Sequence, residues 1–88
     1  MDSNEKKKSK CLPKFKVILV NDEFNSFENV INSLKDVIGI DEITAGTHAK
    51  ETHELGSSLI AIAHEELAET YVVHLHEKGL QVRMEPTS

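Results

Sequence analysis

A short apolar run that stops abruptly at three polar residues is the feature that most constrains how this chain can fold. The run spans residues 15–20, is rich in β-branched side chains, and is followed directly by Asn21, Asp22 and Glu23. This pattern predicts a buried strand that ends in a loop. In a chain of 88 residues and 9.8 kDa, the strand must belong to a single small domain.

A first helix is predicted after this loop. Glu28 stands three places after Asn25, which is the spacing of a capping box, and Gly39 suits the position just beyond the helix end. We therefore expect a helix from about Ser26 to Ile38. Its apolar positions recur at helical intervals at Phe27, Val30, Ile31, Leu34, Val37 and Ile38.

Two further helices and two further strands follow in the sequence. Asp41 can cap a weakly apolar helix that ends at Gly56, and residues 59–62 form a second apolar strand. A third helix is predicted over 64–78, and residues 80–84 alternate like a half-buried strand. The predicted inward face of the third helix consists of Leu67, Ala68, Tyr71, Val72 and Leu75.

The order β-α-α-β-α-β contains too few strands for a doubly wound sheet. We expect an α+β fold, a two-layer sandwich in which a three-stranded antiparallel sheet carries three helices on one face. Residues 1–14 are polar and lysine-rich, so they are predicted to form a flexible amino-terminal extension. Residues 15–88 are predicted to form the folded domain.

The charge is divided unequally along the chain. Residues 1–16 carry six lysines and two acids, a net charge of +4, whereas residues 17–88 carry four cations and thirteen acids, a net charge of −9. An acidic domain repels phosphate backbones, so nucleic acid is not an expected partner. No apolar run reaches about twenty residues, and the chain starts without an apolar signal stretch, so no membrane partner is expected. The expected location is the cytoplasm, or the plastid stroma if a transit peptide was removed.

Five histidines raise the question of a metal site. His48 and His53 lie five residues apart on one predicted helix and therefore on different faces, while His74 and His76 also diverge. The segment 64–68 matches the zinc-protease motif H-E-x-x-H only until its fifth position, which is alanine. We therefore expect no bound metal.

Enzymatic chemistry is not indicated by the remaining motifs. Cys11 is the only cysteine and lies in the polar extension, so it can form no disulfide within the chain. The sequence lacks G-x-S-x-G and a glycine-rich phosphate loop. We expect a protein that is not an enzyme and needs no cofactor.

Two polar features allow either a structural or a functional interpretation. The triplet Asn21, Asp22 and Glu23 can be a simple turn cluster, and His53, three residues before Gly56, can be a surface histidine. A free amino terminus, unlike any internal peptide unit, carries an ammonium group, and Asn21 and Asp22 could supply acceptors for it. Each such charge-assisted hydrogen bond contributes about 1.5 to 3 kcal/mol, so an apolar pocket would also be needed for micromolar binding, which requires about 8 kcal/mol.

Over residues 15–86 the chain resembles ClpS, the adaptor of the Clp AAA+ protease. The resemblance rests on residues 17–23, Phe27, Val30 and Ile31, residues 52–56, residues 68–70 and residues 84–86. It implies an adaptor that binds the free amino terminus and bulky hydrophobic first residue of N-degron substrates. It also implies delivery of these substrates to the amino-terminal domain of a Clp unfoldase, ClpC or ClpA, by a monomer that catalyses nothing.

The resemblance also implies which residues form the binding site. The amino group would be bound by Asn21, Asp22 and His53. The pocket for the first side chain would be lined by Leu19, Asn25, Phe27, Val30, Ala49, Thr52 and Leu80. Phe27 and Ala49 replace the methionines usual in the family, and Thr52 replaces a valine, so the pocket is expected to have a different shape and to favour leucine over aromatic residues.

On the third helix, the resemblance assigns an unfoldase contact to Glu66 and Tyr71. Tyr71 stands where a basic residue is usual, so the partner surface is expected to differ. By the same resemblance, the extension before Phe15 would correspond to the segment that the unfoldase engages during delivery.

Two other functions remain compatible with the sequence. One is a regulatory module that binds the unfoldase without reading degrons, and the other is an interaction domain of the ribosomal-stalk type with the same two-layer architecture. Retention of Asn21, Asp22 and His53 argues against the regulatory module, and a stalk-type domain would have no need of Asn21 and Asp22 at the end of a strand. Binding of a peptide before and after acetylation of its amino terminus separates the degron-binding adaptor from both alternatives, because only that adaptor requires the free amine.

Overall fold

The computed structural model describes residues 13–87, which form three strands and three helices in the predicted order. The elements are β1 (Lys14–Val20), α1 (Phe27–Ile38), α2 (Glu42–Leu55), β2 (Ser57–His64), α3 (Glu65–Glu77) and β3 (Gln81–Pro86). Residues 1–12 of the predicted extension, Cys11 included, lie outside the described residues. The strand β1 begins one residue before the predicted start of the domain.

The sheet has the order β2-β1-β3, and both pairings are antiparallel. The predicted α+β fold is therefore confirmed. Val17 and Leu19 on β1 point to the same face and are buried beneath the helices. Ile18 points to the opposite face, where Leu59 and Arg83 flank it on the neighbouring strands. The central strand is thus apolar on both faces, which explains its continuous apolar run.

The strand β2 is longer than predicted, and it contains a bulge. Val17 pairs with Ala61 and Ile18 pairs with Leu59, so Ile60 has no opposite residue on β1. The bulge shifts the alternation of the strand, and both Ile60 and Ala63 become buried. Regular alternation in the sequence could not have shown this shift.

The start of α1 differs from the predicted capping box. Ser26, and not Asn25, is the N-cap, and its hydroxyl accepts a hydrogen bond of 3.1 Å from the Asn29 N–H. At the other end, Gly39 has the predicted role: its φ of 84° lies in the left-handed region, and its N–H reaches the carbonyls of Leu34 and Lys35. Asn25 is therefore available for contacts outside the helix.

Small residues allow α2 to pack closely against the rest of the domain. Its buried positions are Ala45, Ala49 and Thr52, so the weak apolar pattern is sufficient for a helix that presents only small side chains inward. Asp41 caps the helix as predicted, accepting a 2.7 Å hydrogen bond from the Thr44 N–H. This hydrogen bond lowers the pKa of the Asp41 carboxyl.

The inward face of α3 is narrower than predicted. Ala68 and Leu75 are buried, and Tyr71 and Val72 are half-buried against the core, but Leu67 is exposed. The spacing 68, 71, 72 and 75 forms one complete helical stripe, and Leu67 lies about 100° to the side of Ala68. The prediction for Leu67 was therefore wrong. Over residues 13–87, the structure contains no helix with the length and apolar content required to cross a membrane.

Leu34 connects α1 to the core, and its side chain is 0% exposed. We expect Leu34→Ala to lower the free energy of unfolding by about 2 to 5 kcal/mol, because the substitution leaves a cavity that a small domain can fill only partly. Urea unfolding followed by circular dichroism measures this. Ile43→Ala, at a position 83% exposed, is the matched control and should change the same free energy by about 0.5 kcal/mol or less. Equal effects of the two substitutions would contradict the assignment of the core.

Candidate functional site

A cavity lies where β1 ends, between α1, α2 and the residue that precedes β3. It encloses about 370 Å³, including its open mouth. Its lining residues are Leu19, Val20, Asn21, Asp22, Asn25, Phe27, Val30, Ala49, Thr52, His53 and Leu80. The structure thus brings together all ten residues predicted for the amine and side-chain sites. Val20 is the one lining residue that was not predicted, although it ends the apolar run of residues 15–20.

One backbone hydrogen bond joins the end of β1 to the end of α2. The Asn21 N–H donates to the Gly56 carbonyl over 2.9 Å. Gly56 has a φ of 95°, so it ends α2 in the left-handed region that glycine adopts without strain. The turn at Gly56 therefore brings the last part of α2, with His53, beside the polar residues that follow β1. This arrangement explains why Gly56 follows His53 by three residues in the sequence.

Asp22 closes the loop that follows β1 through three hydrogen bonds to other residues of that loop. Its Oδ1 accepts hydrogen bonds from the backbone N–H groups of Phe24 (2.8 Å) and Asn25 (2.9 Å), and its Oδ2 accepts one from Asn25 Nδ2 at 2.9 Å. Burial raises the pKa of the Asp22 carboxyl, but the three hydrogen bonds together outweigh this effect and leave the pKa below its ordinary value. Asp22 is therefore a carboxylate at neutral pH.

Asn25 links this loop to two other parts of the domain. Besides Asp22, its Nδ2 donates to the Gly79 carbonyl over 2.8 Å, and its Oδ1 accepts a hydrogen bond from Asn29 Nδ2. The residue predicted as a helix cap thus connects the loop after β1 to the turn between α3 and β3. The contact with Gly79 joins positions 54 residues apart, which local sequence spacing cannot reveal.

The floor of the cavity is apolar and well packed. Leu19, Ala49 and Leu80 are buried, and Val30 is half-buried at one side. Thr52 is only 5% exposed, and its hydroxyl donates to the His48 carbonyl over 2.8 Å. Because the hydroxyl proton is bound within the helix, Thr52 can only accept a further hydrogen bond from a ligand.

Two aromatic rings stand at the mouth of the cavity. The ring centroids of Phe27 and His53 lie 5.9 Å apart, and the rings meet edge to face at 78°. Phe27 is the first residue of α1, and it is 47% exposed. Its ring therefore covers the mouth of the cavity only in part. The two rings join α1 to α2 across the opening and restrict its shape.

His48 points away from this mouth and takes part in a separate polar contact. Its Nδ1 lies 2.8 Å from Ser58 Oγ, and Ser58 in turn donates to Glu51 over 2.5 Å. Since Ser58 is buried on β2, the contact holds α2 against the sheet. His48 and His53 lie on different faces of α2, as predicted. Among residues 13–87, no three histidine, cysteine or carboxylate side chains are grouped closely enough to hold a metal ion.

The predicted unfoldase residues lie on α3, away from the cavity. Glu66 is exposed and lines a shallow groove together with Glu69, Thr70, Val73 and His74. Tyr71 is half-buried against the core, beside this groove and not among its lining residues. The groove contains two glutamates in the amino-terminal part of α3, and its lining includes the exposed Val73.

Comparisons with known families, proteins and solved structures all identify one family. Residues 10–83 match the family described as the ATP-dependent Clp protease adaptor protein ClpS. The ClpS adaptor of Synechococcus sp. (strain CC9902) is 34% identical over 87 residues, covering 98% of this chain and 84% of that protein. Chlamydomonas reinhardtii CLPS1, a chloroplastic adaptor, is 34% identical over 87 residues, covering 96% of this chain and 52% of that protein.

A solved structure shares the fold. Agrobacterium tumefaciens ClpS2 bound to L-phenylalaninamide matches with a TM-score of 0.81 and 28% identity, covering 84% of this chain and 96% of that one. These findings confirm the resemblance inferred from the residues.

Protonation of Asp22 should open the loop that follows β1. The three hydrogen bonds favour the carboxylate, so their contribution to stability is fully present above the ordinary pKa of 3.8 and is lost as the pH falls through the lowered pKa of the folded protein. The amide proton shifts of Phe24 and Asn25, measured by NMR between pH 6 and pH 2, should therefore titrate with a midpoint below 3.8. In Asp22→Asn, which has no carboxyl at this position, that titration should disappear. A midpoint above 3.8 in the unmodified chain would contradict the hydrogen bonding of Asp22.

Proposed function

We propose, from the premise that this chain belongs to the ClpS family of ATP-dependent Clp protease adaptors, that it captures proteins by a free amino terminus and a bulky apolar first residue. As an adaptor, it would serve a protease and cleave nothing itself. It would act where such a protease works, in a bacterial cytoplasm or a plastid stroma.

The observation that carries this proposal is the position of acceptors directly beside an apolar cavity. Asn21, Asp22 and His53 lie at the mouth, and Leu19 and Leu80 form part of the buried floor. A first residue needs both features, because its ammonium group and its side chain leave the same carbon atom. The solved ClpS2 structure contains L-phenylalaninamide, a ligand that combines a free amine with an apolar side chain.

The energies of the two features explain why neither would suffice alone. Burial of a leucine-sized side chain contributes about 1.5 to 3 kcal/mol, and each charge-assisted hydrogen bond contributes a similar amount. A micromolar complex requires about 8 kcal/mol. An internal peptide segment would cover Asp22 without supplying its cation, and the desolvated carboxylate would disfavour the complex.

Delivery would use a different surface of the same domain. We assign the unfoldase contact to the groove on α3 that contains Glu66, with Tyr71 beside it, and the partner would be the amino-terminal domain of ClpC or ClpA. The acidic residues Glu66 and Glu69 favour a basic partner surface. The groove and the cavity lie on different elements, so a monomer could bind substrate and unfoldase together. The extension of residues 1–14 would be engaged by the unfoldase during delivery.

Removal of the Asp22 charge should weaken binding of a peptide that begins with leucine. Asp22→Ala should cost about 2 kcal/mol or more, roughly thirtyfold in affinity, measured by fluorescence anisotropy. Because Asp22 also closes its loop, Asp22→Asn is the second variant: its Oδ1 can still accept the N–H groups of Phe24 and Asn25. It carries no charge, and its NH2 group cannot accept the hydrogen bond from Asn25 Nδ2, so it removes the charge and that one contact while it keeps the two backbone contacts of the loop. Both variants should bind weakly.

Glu23→Ala is the matched control, since it removes a neighbouring exposed carboxylate that does not line the cavity. It should bind the peptide within about twofold of the unmodified chain. Full affinity in a folded Asp22→Asn variant would refute the role of the Asp22 charge.

The two rings at the mouth should favour leucine over larger flat side chains. Phe27 is stiffer than the methionine usual in the family, and its contact with His53 restricts the opening. Peptides that differ only in a first leucine, phenylalanine, tyrosine or tryptophan should therefore show tightest binding for leucine, by at most about 1 to 3 kcal/mol. Phe27→Met should reduce this preference. Tighter binding of an aromatic residue by the unmodified chain would show that the small Ala49 side chain controls the pocket instead.

A further inference from the structure

Asn25 makes more connections than a lining residue needs. Its amide donates to Asp22 Oδ2 and to the Gly79 carbonyl, while its Oδ1 accepts from Asn29. Rotation of the amide by 180° would place Oδ1 against two acceptors and Nδ2 against a donor. The orientation of the amide is therefore fixed by its surroundings, and all three contacts must hold together.

The contact with Asp22 determines which acceptor position stays open. Each carboxylate oxygen has two acceptor positions. Oδ1 uses both, on the N–H groups of Phe24 and Asn25, whereas Oδ2 uses one, on Asn25 Nδ2. The second position on Oδ2 is the one that a ligand's ammonium group could occupy. The direction in which this second acceptor position points depends on where Asn25 holds Oδ2.

The contact with Gly79 connects this oxygen to the floor of the cavity. Gly79 directly precedes Leu80, which is buried in the floor, and its φ of 89° places the carbonyl in a turn that other residues adopt only with strain. Asn25 therefore links the atom that would receive the amine to the segment that would receive the side chain.

We infer that Asn25 is the positioning residue of the amine site: it sets the direction of Asp22 Oδ2 and fixes that oxygen at one distance from the Leu80 floor. This inference rests on the proposed function for its ligand, but the orientation of Asp22 is a property of the free protein. Asn25 acts through Asp22.

The test combines one measurement without ligand and one with it. In Asn25→Ala, the Asp22 carboxyl loses a hydrogen bond that lowers its pKa, so the pKa measured by carboxyl NMR titration of the free protein should rise. Affinity for a peptide that begins with leucine should fall about tenfold. Asn25→Ser keeps one hydroxyl proton and should give intermediate values in both measurements, which keeps the test decisive if the alanine variant unfolds.

Asn32→Ala is the matched control, because Asn32 is an exposed asparagine of α1. It should leave both the Asp22 pKa and the peptide affinity unchanged. An unchanged Asp22 pKa in folded Asn25→Ala would overturn the inference, and so would a raised pKa with full peptide affinity. If the unmodified chain bound no such peptide, the proposed function would fail, while the titration would still decide whether Asn25 orients Asp22.

Discussion

The ladder of β1 between two antiparallel neighbours is the interaction on which both the fold and the cavity depend. Because β1 is the central strand, Val17 and Leu19 form the middle of the core, and the residues that follow it emerge at one fixed place. The hydrogen bond from the Asn21 N–H to the Gly56 carbonyl then brings the end of α2 to the same place. The polar triplet of residues 21–23 therefore lies beside the cavity, where the central strand ends.

Most of the fold could be predicted because its signals are local. The apolar run of β1, the aspartate cap of α2 and the glycines that end α1 and α2 act within a few residues, and each was found where expected. Two of the errors, at the start of α1 and in β2, arose where distant contacts decide the outcome. Asn25 has the spacing of a helix cap, but it bonds instead to a carbonyl 54 residues away, and Ser26 becomes the cap. The bulge at Ile60 likewise depends on pairing with β1.

The candidate site was predicted in a different way. The ten residues lie in three stretches of the chain, 19–30, 49–53 and position 80. No spacing rule joins Leu80 to Asn21, and only the family resemblance groups them. What the resemblance could not supply is their internal organisation. Three of the four acceptor positions of Asp22 are already occupied by its own loop, so the residue both builds the site and faces the ligand. The contact between the exposed Phe27 ring and His53 sets the shape of the cavity mouth in this chain.

The central claim is that the cavity binds the free amino group and the apolar side chain of a first residue together. NMR shift mapping with L-leucinamide and N-acetyl-L-leucinamide tests this most directly, because the two ligands share the side chain and differ at the amine. The account predicts that leucinamide shifts the amides of Asn21, Asp22, His53 and Leu80, and that the acetylated ligand leaves them unchanged at equal concentration. Equal shifts and equal affinity for both ligands, or shifts only at residues remote from the cavity, would contradict it.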